Sequence, residues 1–468
     1  MSALALMPHQ EEGVSFLLDR KSGLVAFEQG LGKTRVALEA FRRALKAGAV
    51  DALIVICPNS LKDNWAEEVA RFTPGLRVSV VRGNGRERRK ALAIVADVFV
   101  VNYEAARNDI VALRALMQRK RCALVLDESH NVKNIRTLNS VCARNIAPLT
   151  EYKWLLSGTP VTNTAADMYA QMLLVTPAGQ IPPRELFMLN MTLANDAEAG
   201  LRHARHYFTR KTKRQCLDLP EKRFHDVLVD LPGWQQALYD AARKGLLDEV
   251  RIMTRSEFAS FAPTALTRLL RLSQLASNPA LIFPEEKRTP GKISHLDRLI
   301  DQITDTDQKV IVWSSYVETI RALTSRYSDY GAVALYGRTP AGDRQQIEAH
   351  FQTSEGPKIL VANPAAAGAG FTLTQATFAI YESLTWRYDL YAQSQDRNHR
   401  IGQNSPVTYI RLIGESTIEE VICQCLERKR ATAERILGDT PAYDFIKQMT
   451  VPEFCSMVET SKLPTNRS

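Results

Sequence analysis

Residues 29–34 read Gln29-Gly30-Leu31-Gly32-Lys33-Thr34, a glycine-rich turn that ends in a lysine and a hydroxyl. At the start of a helix such a turn offers backbone N–H groups to phosphate oxygens. Its lysine suits the β- and γ-phosphates, and its hydroxyl suits Mg²⁺. Farther along, an apolar run ends in Asp127-Glu128-Ser129-His130. One carboxylate of that pair can orient a metal and the other can activate a water. Either half alone is a partial signal of that chemistry; both in this order point to hydrolysis of a nucleoside triphosphate.

Three further segments carry polar groups suited to that chemistry. Gln10, in Leu6-Met7-Pro8-His9-Gln10, precedes the glycine turn and has an amide able to read an adenine edge bidentately. Ser157-Gly158-Thr159 follows a strand-like run, where small hydroxyl residues on a tight turn can relay a change at the γ-phosphate. The segment Gln393-Ser394-Gln395-Asp396-Arg397-Asn398-His399-Arg400-Ile401-Gly402-Gln403 lies downstream of a glycine-rich Ala367–Gly370 turn. On a helix, Gln393, Arg397 and Arg400 would share one face. Two arginines presented together would answer the charge that grows on a transferring phosphoryl group, a contribution of about 10³–10⁵ in rate.

These residues need strand ends and helix starts to position them. Apolar runs at Leu24–Phe27, Ala52–Cys57, Val98–Tyr103, Ala123–Leu126 and Trp154–Leu156 alternate with amphipathic stretches, and a helix is expected from Thr34 to Lys46. A second block repeats the pattern, with strands expected at Val310–Trp313, Ala332–Tyr336, Ile359–Ala362, Phe378–Tyr381 and Val407–Leu412. That alternation is the mark of α/β architecture with parallel sheets. It divides the chain into a first lobe at 1–176, a helical connecting region at 177–290 with one long helical pattern from Trp234 to Ile282, a second lobe at 291–440, and a weakly ordered tail at 441–468.

The 468 residues are too many for one ordinary core, and 45% hydrophobic with 24% charged content is that of a globular protein. No apolar run reaches the length of a membrane span, and the N-terminus lacks a signal-peptide pattern, so a cytoplasmic location is expected. The formal net charge of +9 suits a polyanionic partner. It gathers in two places: Arg82, Arg86, Arg88, Arg89 and Lys90, and a larger run from Arg202 to Arg223 that includes Lys211 and Lys213. A solvated face is the plain reading of both. The seven cysteines show no zinc-ligand spacing and read as reduced, mostly buried thiols.

Taken in chain order, LMPHQEEGVSFL, GLGKT, LIVICPNSLKDNWAEEV, DESHNVKN, LSGTPVTNT, TRKTK with LPEK, LLRLSQLASNP, and QSQDRNHRIGQ with STIEEVI resemble the Swi/Snf-type DNA-translocating ATPases of helicase superfamily two. The resemblance covers most of the chain, and its HRIGQ ending is more specific than the phosphate loop. It implies two RecA-like parallel-sheet lobes joined by a helical region, with ATP between them, Mg²⁺ as cofactor and duplex DNA as partner. It implies that Gln10 reads adenine, that residues 29–34 cradle phosphate, and that Thr34 and Asp127 hold Mg²⁺ while Glu128 activates water. His130, Ser157, Thr159 and Gln393 would couple nucleotide to DNA, Arg397 and Arg400 would act as fingers, and Gln403 would support closure at the ATP site. DNA-facing positions would include Pro58, Ser60, Asn102, Tyr103, Gly370, Thr372 and Trp386, with Lys211 and Lys213 on phosphates.

The chain departs from the family pattern at Phe27 (usually Asp), Ser129 (usually Ala), Thr372 (usually Asn) and Arg387-Tyr388 (usually Asn-Pro). With no bromodomain-, chromodomain-, SANT- or RING-like segment, the resemblance points to a compact bacterial or phage member serving repair, replication or recombination. The alternatives are a strand-separating or fork-annealing helicase, and an ATP-switched DNA clamp without sustained turnover.

Overall fold

The computed structural model describes residues 5–158, 165–177, 180–181, 183–184, 205–366, 371–435, 446 and 449–463. The chain divides into two compact units, with the main division between Asp218 and Leu219. Among the described residues the first unit carries a seven-stranded sheet and the second a six-stranded sheet, and every strand pairing in both is parallel. The expected α/β class with two parallel-sheet lobes is thus what the chain forms.

The first sheet comprises β1 (Ser22–Phe27), β2 (Ala52–Cys57), β3 (Val78–Val80), β4 (Val98–Asn102), β5 (Cys122–Asp127), β6 (Lys153–Leu156) and β7 (Phe208–Lys211), in the order β3-β4-β2-β5-β6-β1-β7. Its central strands are continuous apolar runs because both faces are covered. Along β2, Ile54 and Ile56 enter one core cluster, while Leu53 and Val55 enter another with Trp65 and Trp154. Three helices matter for the site: α1 (Pro8–Arg20), α2 (Lys33–Lys46) and α3 (Lys62–Phe72). The helix expected from Thr34 begins one residue earlier.

The second sheet comprises β8 (Lys222–Val229), β9 (Lys309–Trp313), β10 (Val333–Leu335), β11 (Ile359–Ala362), β12 (Ala376–Tyr381) and β13 (Val407–Gly414), in the order β10-β11-β9-β12-β13-β8. The stretch that the sequence set apart as helical therefore lends β7 to the first sheet and β8 to the second. Its single long helical pattern is two helices, Gly233–Arg251 and Arg255–Ser277. Thr254 starts the second with a capping box, its hydroxyl accepting Glu257 N while Glu257 bonds back to Thr254 N.

The expected weak tail is partly a helix, Val451–Thr460, capped by Thr450 and Glu453. Phe454, Met457 and Val458 are buried in one cluster with Tyr239, Phe258, Leu269, Ile418 and Val421, so apolar burial holds this segment in place. In the same lobe a buried ion pair joins the helix Gly291–Thr304 to the helix Ile418–Arg435: Lys292 Nζ lies 2.7 and 2.8 Å from the two Glu419 oxygens. The seven cysteines are free, six of them buried and Cys216 half-buried. Among the described residues no helix is long and apolar enough to cross a membrane.

Candidate functional site

The glycine turn leaves the carboxyl end of β1 and opens α2. Gly30 (φ 84°) and Gly32 (φ 77°) take left-handed backbone that a side chain would strain. Lys33 donates from Nζ to the carbonyls of Phe27 at 2.9 Å and Glu28 at 3.5 Å, which curls its ammonium back over the turn. Thr34 follows on the first turn of α2, half-buried. Leu31 is buried, and its carbonyl faces His9 Nε2 at 3.0 Å and accepts Gln10 Nε2 at 3.3 Å. Gln10 also accepts Met7 N, so α1 packs its predicted adenine reader against the loop.

The turn is fastened from the other side as well. Glu28 donates its backbone N to Lys211 O at 3.0 Å, and its carboxylate accepts Lys213 N at 2.7 Å. Lys211 pairs with Glu12 on α1, and Lys213 is buried. The expected phosphate contact by this pair therefore meets one buried lysine, Lys213, and one half-buried lysine already paired with a carboxylate. Arg210 on the same strand is exposed, and Arg202 lies outside the described residues. The smaller basic cluster is partly paired: Arg82 meets Asp63, and Arg88 and Arg89 share Asp109.

The acidic pair ends β5, and in the sheet only β6 lies between β5 and β1. Asp127 is buried, and its carboxyl is pushed up to about 6 by desolvation and the neighbouring Glu128, against the pull of Trp65 and Lys33. Its Oδ1 accepts Glu128 N at 2.9 Å and its Oδ2 accepts Trp65 Nε1 at 2.7 Å. Glu128 sits at φ 47°, a left-handed conformation that is rare without glycine and clusters at functional turns. Its carboxylate lies 3.2 Å from His130 Nδ1. Ser129 donates to Gln171 Oε1 at 2.6 Å inside the lobe, so this departure from the family pattern has a dedicated acceptor.

Ser157 and Gly158 follow β6, between the other two strand ends. Ser157 is buried, and a Cβ at Gly158 would come within 2.8 Å of Gln29 Cγ and 3.5 Å of Lys33 Nζ. The structure thus gathers Gln10, residues 29–34, Asp127, Glu128, His130 and Ser157 at adjoining strand ends of one lobe. Thr159 lies outside the described residues.

The DNA-facing candidates divide. Ser60 is exposed at the end of β2, and Pro58 and Asn102 are half-buried. Tyr103 is instead buried, its hydroxyl donating to the Asp127 carbonyl at 2.8 Å, which turns it from a surface contact into a support of the acidic pair. In lobe two, Trp386 packs against two core clusters, and Thr372 N donates to Glu348. Gly370 lies outside the described residues.

The arginine segment differs from its expected helix face. The helix Tyr388–Gln395 stops before Arg397, and residues 396–402 form turns. Tyr409 on β13 approaches Gln395 O and Asn398 Oδ1 with its hydroxyl, both at 3.0 Å, and ties this turn to the sheet. Gln393 and Arg397 are buried, and Arg400 donates to Phe371 O at 3.0 Å. Gln403 directs its amide to the carbonyls of Thr374 and Asn398, which braces this turn from within.

Among the described residues no three His, Cys, Asp or Glu side chains are grouped to hold a metal ion by themselves. A hydroxyl and one desolvated carboxylate are the hard oxygen donors that Mg²⁺ uses when phosphate and water complete its shell, so Thr34 and Asp127 fit that ion.

The description of an SNF2-related domain matches residues 9–281, and that of a helicase conserved C-terminal domain matches residues 291–402. A protein of Mycoplasma pneumoniae named as an uncharacterized ATP-dependent helicase is 26% identical over 467 residues, covering 97% of this chain and 44% of its own length. The putative ATP-dependent helicase/translocase YwqA of Bacillus subtilis is 27% identical over 458 residues, covering 92% of this chain and 49% of its own. The chain thus spans about half the length of the curated relatives it matches. The Sulfolobus solfataricus SWI2/SNF2 ATPase core solved with dsDNA aligns over 98% of both chains, with 25% identity and a TM-score of 0.44.

Proposed function

We propose, for a chain that belongs to the SNF2-related family, that it hydrolyses ATP with Mg²⁺ and couples hydrolysis to movement along duplex DNA of any sequence. One observation carries the reading. The ends of β1, β6 and β5 bring Lys33, Gly158 and the Asp127–Glu128 pair to one place, and the Lys33 charge is felt at Asp127. Lys33 and the loop N–H groups would bind phosphate, and Gln10 would meet the adenine. Glu128 would take the proton of the attacking water, with His130 against its carboxylate. Thr34 and Asp127 would hold Mg²⁺, which when bound neutralises phosphate charge. Arg397 and Arg400 would answer the charge of the transition state.

The net charge of +9, the exposed Asn59–Ser60 turn and the translocase name of the Bacillus relative support DNA as the partner. Contacts to phosphates would position the duplex without reading bases. The test is phosphate release measured in parallel with duplex DNA, single-stranded DNA and RNA, together with displacement of a triplex-forming strand from duplex DNA. Duplex stimulation independent of sequence, with strand displacement, is expected. No Mg²⁺-dependent hydrolysis, or stimulation by RNA alone, would overturn the reading.

A further inference from the structure

Trp65 is fully buried on α3, yet its indole is tied to the acidic pair. Nε1 donates to Asp127 Oδ2 at 2.7 Å, while Asp127 Oδ1 accepts Glu128 N at 2.9 Å. Each carboxylate oxygen therefore has its own donor, one from a side chain of another element and one from the backbone of the next residue. Tyr103 completes the support by donating its hydroxyl to the Asp127 carbonyl at 2.8 Å. Burial of an indole in this core does not by itself demand such a bond. Trp154 belongs to the same core cluster, is equally buried, and its Nε1 has no hydrogen-bond partner among the described residues.

We infer that Trp65 is a positioning residue for Mg²⁺: its N–H fixes the plane of the Asp127 carboxylate, the group that would hold the ion. This rests on the ATPase reading above and adds a residue to it. A carboxylate free to turn about its terminal torsions presents its lone pairs to the metal only part of the time. A donor fixed in a close-packed core removes that freedom before the metal arrives. Partners that orient metal ligands in this way are typically worth about 10–100-fold in metal affinity or activity. The indole is suited to the task because it donates one bond, accepts none, and leaves the carboxylate its charge.

The test compares wild type, Trp65→Phe, Trp65→3-benzothienylalanine and Trp154→Phe. The benzothienyl isostere keeps the volume of the indole and puts sulfur in place of N–H, so it isolates the bond even if Trp65→Phe fails to fold. Two quantities are read: the Mg²⁺ concentration that half-saturates binding of a fluorescent ATP analogue, and kcat with KM for ATP on duplex DNA at saturating Mg²⁺. The isostere should raise the half-saturating Mg²⁺ and lower kcat, each by about 10–100-fold, with KM little changed and the thermal transition preserved. Trp154→Phe should leave both quantities at their wild-type values. An isostere with wild-type Mg²⁺ dependence and kcat would overturn the inference while leaving the ATPase reading intact. So would equal losses from Trp65→Phe and Trp154→Phe. A wild type that neither binds Mg²⁺-nucleotide nor hydrolyses it would overturn the ATPase reading itself.

Discussion

Gly32→Ala tests how tightly α1 holds the phosphate loop. Gly32 sits at φ 77° and ψ 39°, and placing an L side chain in that left-handed region costs about 1–2 kcal/mol. An added Cβ would also overlap Gln10 Nε2, well inside van der Waals contact. Gln10 cannot simply swing away, because it is buried and held by Leu31 O and Met7 N. Losing those bonds adds about 1 kcal/mol. The variant should therefore lose about 2–3 kcal/mol in the thermal transition of lobe one without nucleotide. Gln10→Ala alone should lose about 1 kcal/mol, since it removes the bonds but leaves the loop unstrained. The double variant should lose less than the sum of the two by about 1 kcal/mol, because the overlap and the bonds vanish together. Calorimetry on the four proteins measures the cycle. Losses that add, or a Gly32→Ala protein as stable as wild type, would refute the claim that Gln10 and the loop are packed as one unit.

Three other outcomes follow from the same geometry. Lys33→Ala should weaken ATP binding, whereas Glu128→Gln should bind ATP and fail to turn it over; equilibrium binding beside single-turnover hydrolysis separates the two. Arg210→Ala should reduce the salt dependence of DNA affinity by about one unit of slope if Arg210 neutralises a phosphate. Lys213→Ala, at a buried position, should leave the slope unchanged, as titration of binding against salt will show. The Glu39 carboxyl is held down at about 2 by hydrogen bonds from Arg42 and Arg43. Its stabilising effect is therefore complete above pH 4.5, its ordinary value, and is lost as the pH falls toward 2. Glu39→Gln should flatten the acid unfolding of lobe one across that window, read by circular dichroism.

What the sequence revealed depended on whether the causal contact was local. Ala52–Cys57 and Ile359–Ala362 were legible to the residue because a strand covered on both faces is a continuous apolar run. The edge strands β7 and β8 were not. Phe208–Lys211 and Lys222–Val229 carry charge and are only partly covered, and such edges resemble loops in sequence. Two boundaries could have been read and were missed. Thr254 with Glu257 and Thr450 with Glu453 are capping boxes, and Phe454, Met457 and Val458 have the spacing of a buried helix stripe. The end of the helix before Arg397 could not be read, because Tyr409 holds that turn from another strand. Tyr103 was misplaced for the same kind of reason. The resemblance alone set it facing DNA, and only its bond to the Asp127 carbonyl shows why it is buried.

The candidate site itself follows from strand order more than from any single motif. In a parallel sheet every strand delivers its carboxyl end to the same edge, so distant segments meet if their strands are neighbours. Here β6 separates β5 from β1, which sets Ser157 and Gly158 between the acidic pair and the phosphate loop. The turn at Gly158 packs directly on the loop, with no room for even a methyl group beside Gln29. On the far side β2 adjoins β5, and the chain leaving β2 passes through the exposed Ser60 before α3 carries Trp65 back to Asp127. The segment proposed to meet DNA and the carboxylate proposed to hold the metal are thus joined through the first turn of α3 and the Trp65–Asp127 bond. The proposed response of ATP hydrolysis to a duplex would need a connection of this kind, and the parallel strand order would supply it within a single lobe.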